Sequence, residues 1–137
     1  MTLSEFVNVM SFGILMGTTN NYCPLTYMAD KYNNDYFLLP RIVCVDGFDI
    51  SIQVNKVNMC RSENGVRMFG TDWKSVEWGF PSQNIDGEKY NAEDEYDTMN
   101  TVGGYVDINI MEELINEHGG IDLQATLQKH MEKYNRT

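Results

Sequence analysis

Basic residues are scarce in this chain: ten lysines and arginines stand against twenty acids, a formal charge of −10. A protein that grips DNA or RNA directly needs lysine and arginine to displace counterions. No basic cluster occurs, so direct nucleic-acid binding is excluded, and an anionic membrane surface is disfavoured for the same reason. Histidine occurs only at 118 and 130, too few for a histidine-rich metal centre. The three cysteines, Cys23, Cys44 and Cys60, are far apart and form no C-x-x-C pair. Their odd number fits a reducing cytosol better than a disulfide scaffold. The apolar run "FVNVMSFGILMG", residues 6–17, is shorter than the roughly twenty residues that span a bilayer. With no basic residue before it, it does not resemble a secretion signal. These absences point to a cytoplasmic protein.

What is present suffices for a core. The 137 residues are 42% hydrophobic and 12% aromatic, which predicts one folded domain that needs no cofactor or metal for its stability. Thr2 and Glu5 form a T-x-x-E capping box ahead of the apolar run. Leu3, Phe6, Val7, Met10 and Ile14 share one face of the helix that follows, residues 1–17, and Val9, Phe12 and Met16 lie on the other. A helix apolar nearly all round is buried or self-associates, so a homo-oligomer through this helix is one expectation. Residues 18–35 form an irregular connection with a short helix near 24–31, and "YFLL" before Pro40 is a short strand.

The sheet is expected within 36–107. In "RIVCVDGFDISIQV", residues 41–54, Asp46-Gly47 separates two β-rich runs, the signature of a two-residue hairpin with positive φ at both positions. Phe48, Ile50, Ile52 and Val54 alternate with Asp49, Ser51 and Gln53, which predicts one buried and one polar face. "KSVEWGF", residues 74–80, repeats the pattern, with Val76, Trp78 and Phe80 inward. Residues 108–134 read as a helical hairpin. Asn109 and Glu112 offer a cap, and Met111, Leu114, Ile115 and His118 form its first stripe. Gly119-Gly120 stops the first helix, and Asp122 caps a second with the stripe Leu123, Leu127, Met131 and Tyr134. The architecture is therefore α+β: a small antiparallel sheet of three to five strands, one Asp-Gly hairpin, and helices over one face.

The densest chemical signal is "DGEKYNAEDEYD", residues 86–97. Asp86, Glu88, Glu93, Asp94, Glu95 and Asp97 surround Tyr90 and Tyr96, with Lys89 alone opposing them. The segment lacks the D-x-[DN]-x-[DN]-G order of a calcium loop. Carboxylates interleaved with tyrosine suit the Arg- and Lys-lined groove of a nucleic-acid-binding protein. Trp73 is the tryptophan free to join such a surface, because Trp78 shares the core-facing parity. Arg41, Arg61 and Arg67 are the anchors for an alternative, a pocket that sequesters a nucleotide. The catalytic alternative, a small hydrolase, draws on Glu77 with Asp49, on Cys60 beside Arg61, or on His118. Gly103-Gly104 lacks the frame of a phosphate loop.

The runs "LPRIVCVDGFDISIQV", "MCR", "SVEWGFPS" and "TVGGYVDINIMEELINEHGGID" together resemble a widespread family of small phage- and prophage-encoded proteins. The likeness spans about residues 39–122 and includes the D-G-F-x-x-S-x-Q hairpin, the V-E-x-G-F-P-S strand and the terminal H-G-G. Met59 replaces the family's aromatic before Cys60, and "CRSENG" lacks its proline. The resemblance implies a phage genome and a bacterial host cytoplasm. With the acidic balance, it leads to the expectation of a non-enzymatic inhibitor of a bacterial antiviral defence component. Its partner would be a basic, nucleic-acid-binding host protein.

Overall fold

The computed structural model describes residues 1–17, 39–54, 61–62 and 73–134; the side chains of 11–17, 61–62 and 133–134 are outside the description. The expected helix near 24–31, the "YFLL" strand up to Leu38, Cys60 and Arg67 all lie outside the described residues. So does the Arg61 side chain.

Helix α1 (Leu3–Gly17) begins where the capping box places it. The Glu5 amide donates to Thr2 Oγ1 at 3.0 Å, and the Thr2 amide donates to Glu5 Oε1 at 3.3 Å. Leu3, Phe6, Val7 and Met10 are buried in the core, while Val9 is exposed. Leu3, Phe6, Val7 and Met10 therefore face this chain's own sheet and helices.

Five strands follow: β1 (Ile42–Val43), β2 (Asp49–Gln53), β3 (Arg61–Ser62), β4 (Trp73–Gly79) and β5 (Val102–Asp107). All pairings are antiparallel, and β4 is the hub. β2 pairs with Glu77–Gly79 and β3 with Trp73 and Ser75, so these two share one edge of β4 and β5 takes the other. Val76, Trp78, Ile50, Ile52 and Val106 are buried. Over that side lie α1 and helix α2 (Ile108–Glu117), while helix α3 (Leu123–Tyr134) packs on β1. The α+β class and the helix-covered antiparallel sheet agree with the sequence reading.

Several local expectations are corrected. The hairpin loop has three residues, Val45 to Gly47: Cys44 donates to Phe48 O, and Gly47 donates back to Cys44 O. Only Gly47 takes a positive φ, +95°, so Asp46 keeps ordinary backbone and frees its carboxylate for other work. Phe80 does not continue the inward stripe. Its φ of 51° turns the chain out of the strand and leaves the ring 52% exposed. Helix α2 is capped by Asp107, whose side chain accepts from the Asn109 amide, because the helix begins two residues earlier than the N-x-x-E pattern implies. Glu112 instead accepts from the Leu3 amide and ties α2 to the start of α1.

The expected pairing of the last two helices is replaced by a grip on the hairpin. Gly119 and Gly120, at φ +90° and +88°, end α2 and turn the chain along β1. The Val45 amide donates to Gly120 O, the Asp122 amide to Val43 O, and the Val43 amide to Thr126 Oγ1. These bonds saturate the outer edge of β1, which would otherwise be open to another strand. They also set the rotation of α3. Among its described side chains, Thr126 and His130 are the buried ones, and Met131, expected inward, is 41% exposed. Asp122 does cap the helix, accepting from the Ala125 amide.

Candidate functional site

The acidic segment is folded back on itself and stitched to the sheet. Residues 86–90 make one helical turn, with the Tyr90 amide donating to Asp86 O. Asn91 closes the turn at φ 60°, with the Asn91 amide bonded to Glu88 O and the Ala92 amide to Gly87 O. This is the left-handed cap that asparagine tolerates. A Cβ on Gly87 would lie 2.4 Å from the Glu95 Cα, so the two acidic arms lie against each other. Asp94 Oδ1 accepts from the amides of Tyr96 and Asp97, forming a local turn. Buried Thr98 joins the segment's flanks, accepting from the Ile85 amide and donating to Asn84 Oδ1.

Trp78 is the anchor beneath. Its Nε1 donates to Tyr90 O at 2.7 Å, and its ring presses on Gly103, where a Cβ would sit 2.4 Å from the indole. The glycine in β5 thus serves packing, not phosphate binding. Asn91 Nδ2 donates to Gly104 O, and the Glu93 amide to Val102 O, fixing the segment to the edge of β5.

On this frame Asp86, Glu88, Glu93, Asp94, Glu95 and Asp97 are all exposed, and Tyr96 is 91% exposed. Two residues expected on the binding surface are not there. Tyr90 is buried, with its backbone carbonyl on Trp78. Trp73 is 2% exposed because β4 begins at Trp73 itself, and Trp73 and Ser75 are covered on the face that was expected to be polar.

The proposed carboxylate pair does not form. Glu77 lies opposite Gln53, four residues along β2 from Asp49, which puts the two about 13 Å apart at strand rise. Asp49 is instead held by Arg41 Nε and by Lys129 Nζ, the latter at 3.3 Å, while the Arg41 guanidinium also donates to Phe80 O. Arg41 is thus committed to a structural ion pair.

His118 joins two sequence motifs. Its Nδ1 donates to Asp46 Oδ2 at 2.7 Å, and its ring stacks on Phe48 with centroids 3.9 Å apart. The Phe48 amide and then His118 hold the Asp46 carboxyl below its ordinary range. The H-G-G turn and the D-G-F hairpin therefore form one contact, which no linear spacing reveals.

Between the acidic segment and α2 lies a cavity of about 260 Å³. Ile85, Asp86, Lys89 and Tyr90 line it from the segment, and Leu114, Glu117 and His118 from α2 and its C-cap. Lys89 Nζ stands over the Tyr90 ring, 5.3 Å from its centroid. Tyr90 first, then Glu113 and Glu117, raise the Lys89 ammonium above its ordinary pKa, and burial pushes the Tyr90 phenol up against the pull of Lys89. The sequence reading missed this cavity, since α2 supplies half of it from far along the chain. Among the described residues no group of three or more His, Cys, Asp or Glu is placed to hold a metal ion, and no helix is long and apolar enough to cross a membrane.

Comparison with models of known protein families, with curated proteins and with solved structures finds no match to this chain.

Proposed function

We propose that this protein is a non-enzymatic binder of a basic partner, which it engages through the acidic segment with Asp86, Glu88, Glu93, Asp94, Glu95, Tyr96 and Asp97 as contacts. The observation that carries the reading is Tyr96, 91% exposed on a backbone held by hydrogen bonds and surrounded by carboxylates. An ordered aromatic loses little conformational freedom on binding, and neighbouring carboxylates draw in an Arg- or Lys-rich surface. Among the candidate catalytic groups, Asp49 is neutralised by Arg41 and Lys129, and His118 is engaged by Asp46 and Phe48. The likeness to phage-encoded proteins supports a nucleic-acid-binding component of a bacterial antiviral defence as the target, blocked in the cytoplasm by occupation of its nucleic-acid groove.

The test is capture of partners from bacterial lysate on the immobilised protein, with elution by salt and by competing DNA. A partner released by DNA, and lost with a Glu93→Lys/Asp94→Lys/Glu95→Lys variant or with Tyr96→Ala, supports the reading. Capture that survives the triple charge reversal overturns it.

A further inference from the structure

We propose that the cavity between the acidic segment and α2 receives an arginine side chain of the basic partner, which displaces Lys89 from the face of Tyr90. The inference rests on the binding reading above and names the anchor within it. At about 260 Å³ the cavity falls below the roughly 300–1,000 Å³ of pockets that enclose whole small molecules, and it suits one long side chain. Its chemistry is graded to match. Ile85 and Leu114 offer apolar contact to an aliphatic stem, and Asp86 and Glu117 offer carboxylates to a cationic head. The same carboxylates repel phosphate, so a nucleotide is a poor occupant.

The protein already demonstrates the preference with its own cation. Lys89, exposed, lies over the Tyr90 ring beside Glu117. A lysine ammonium is compact and strongly hydrated, whereas a guanidinium is planar, less hydrated and able to pair with a carboxylate in two-pronged fashion. Arginine therefore gains more from this site than Lys89 does. The exchange breaks no backbone bond, because Lys89 swings into solvent.

The experiment is a titration of the intact protein with N-acetyl-arginine amide, followed by backbone NMR shifts, with inorganic phosphate and N-acetyl-norleucine amide as comparison ligands. Saturable shifts at Ile85, Lys89, Leu114 and Glu117 are expected with the arginine probe alone. Glu117→Gln, an exposed helix position that leaves the fold intact, weakens the probe about tenfold, the worth of one charge-assisted bond. Lys89→Met tightens it several-fold by removing the internal competitor. Shifts with phosphate at these residues, equal response to the norleucine probe, or unchanged affinity in both variants would each overturn the proposal. Loss of the arginine response while lysate capture still depends on Glu93, Asp94 and Glu95 removes the pocket and leaves the surface. A specific arginine response with charge-independent capture does the reverse.

Discussion

Replacing Gly103 with alanine places a methyl group where Trp78 already stands. The added Cβ would lie 2.4 Å from the indole Cε2 and Nε1, far inside van der Waals contact, and neither group is at the end of a flexible chain. Trp78 is 1% exposed and paired with Gly103 across the sheet, so it has no open space to enter. Overpacking of this kind costs about 1–3 kcal/mol. Displacing the indole also strains its bond to Tyr90 O, worth about 1 kcal/mol more. The sum, about 2–4 kcal/mol, is a large share of the roughly 5–15 kcal/mol that stabilises a domain. With a urea dependence of about 2 kcal/mol per molar, the unfolding midpoint falls by roughly 1–2 M. Trp73 and Trp78 are both buried, so tryptophan fluorescence reports the transition directly. The acidic segment rests on the same indole, and partner capture should weaken in parallel. A Gly103→Ala protein within about 0.5 kcal/mol of the parent, the range of innocuous surface changes, refutes the claim that Trp78 anchors the segment.

Burial raises the Cys44 thiol from its ordinary 9.0 to about 11, so it stays protonated and unreactive toward thiol reagents in the native protein at neutral pH. Its burial contributes fully below pH 9 and is lost as pH rises through about 11, a change of roughly 3 kcal/mol at 1.4 kcal/mol per unit; Cys44→Ala should lack that alkaline loss in denaturant titrations. The lowered Asp46 carboxyl works in the opposite direction, contributing above its ordinary 3.8 and fading as pH falls through the lower folded value. Asp46→Asn should therefore blunt the acid limb of a circular-dichroism unfolding curve, and an unchanged limb counts against the bonds that the Asp46 carboxylate accepts from the Phe48 amide and His118. Thr126→Val removes the acceptor for the Val43 amide; leaving that donor unpaired costs about 1–3 kcal/mol, measured by chemical denaturation.

Local signals in the chain proved reliable where the deciding partner was close in sequence. The Thr2–Glu5 box, the Gly119-Gly120 stop and the Asp122 cap each rest on atoms within five residues. Alternation through Ile50 and Ile52 identified the core side of β2 for the same reason. Long-range partners were hidden. Trp73 looked free because nothing local marks β3 as its neighbour, and nothing near Gly103 marks it as the packing partner of Trp78, twenty-five residues away. Phe80 kept the right parity but met a backbone reversal that periodicity does not encode. At the candidate site, composition located the carboxylates and Tyr96. The burial of Tyr90 and the cavity against α2 depend on how the segment docks, and were legible only in three dimensions.

The clasp of the H-G-G turn on the Asp-Gly hairpin has a temporal side. The Val43 amide waits for Thr126, eighty-three positions downstream, and Leu3 waits for Glu112. Synthesis at roughly 5–20 residues per second leaves these groups without native partners for several seconds as the polypeptide emerges from the ribosome. Throughout that interval β1 carries a bare pairing edge, and the nascent chain is most open to misassembly. Closure of that edge therefore waits on the synthesis of Thr126, and chains cut short before it should be the ones that chaperones retain.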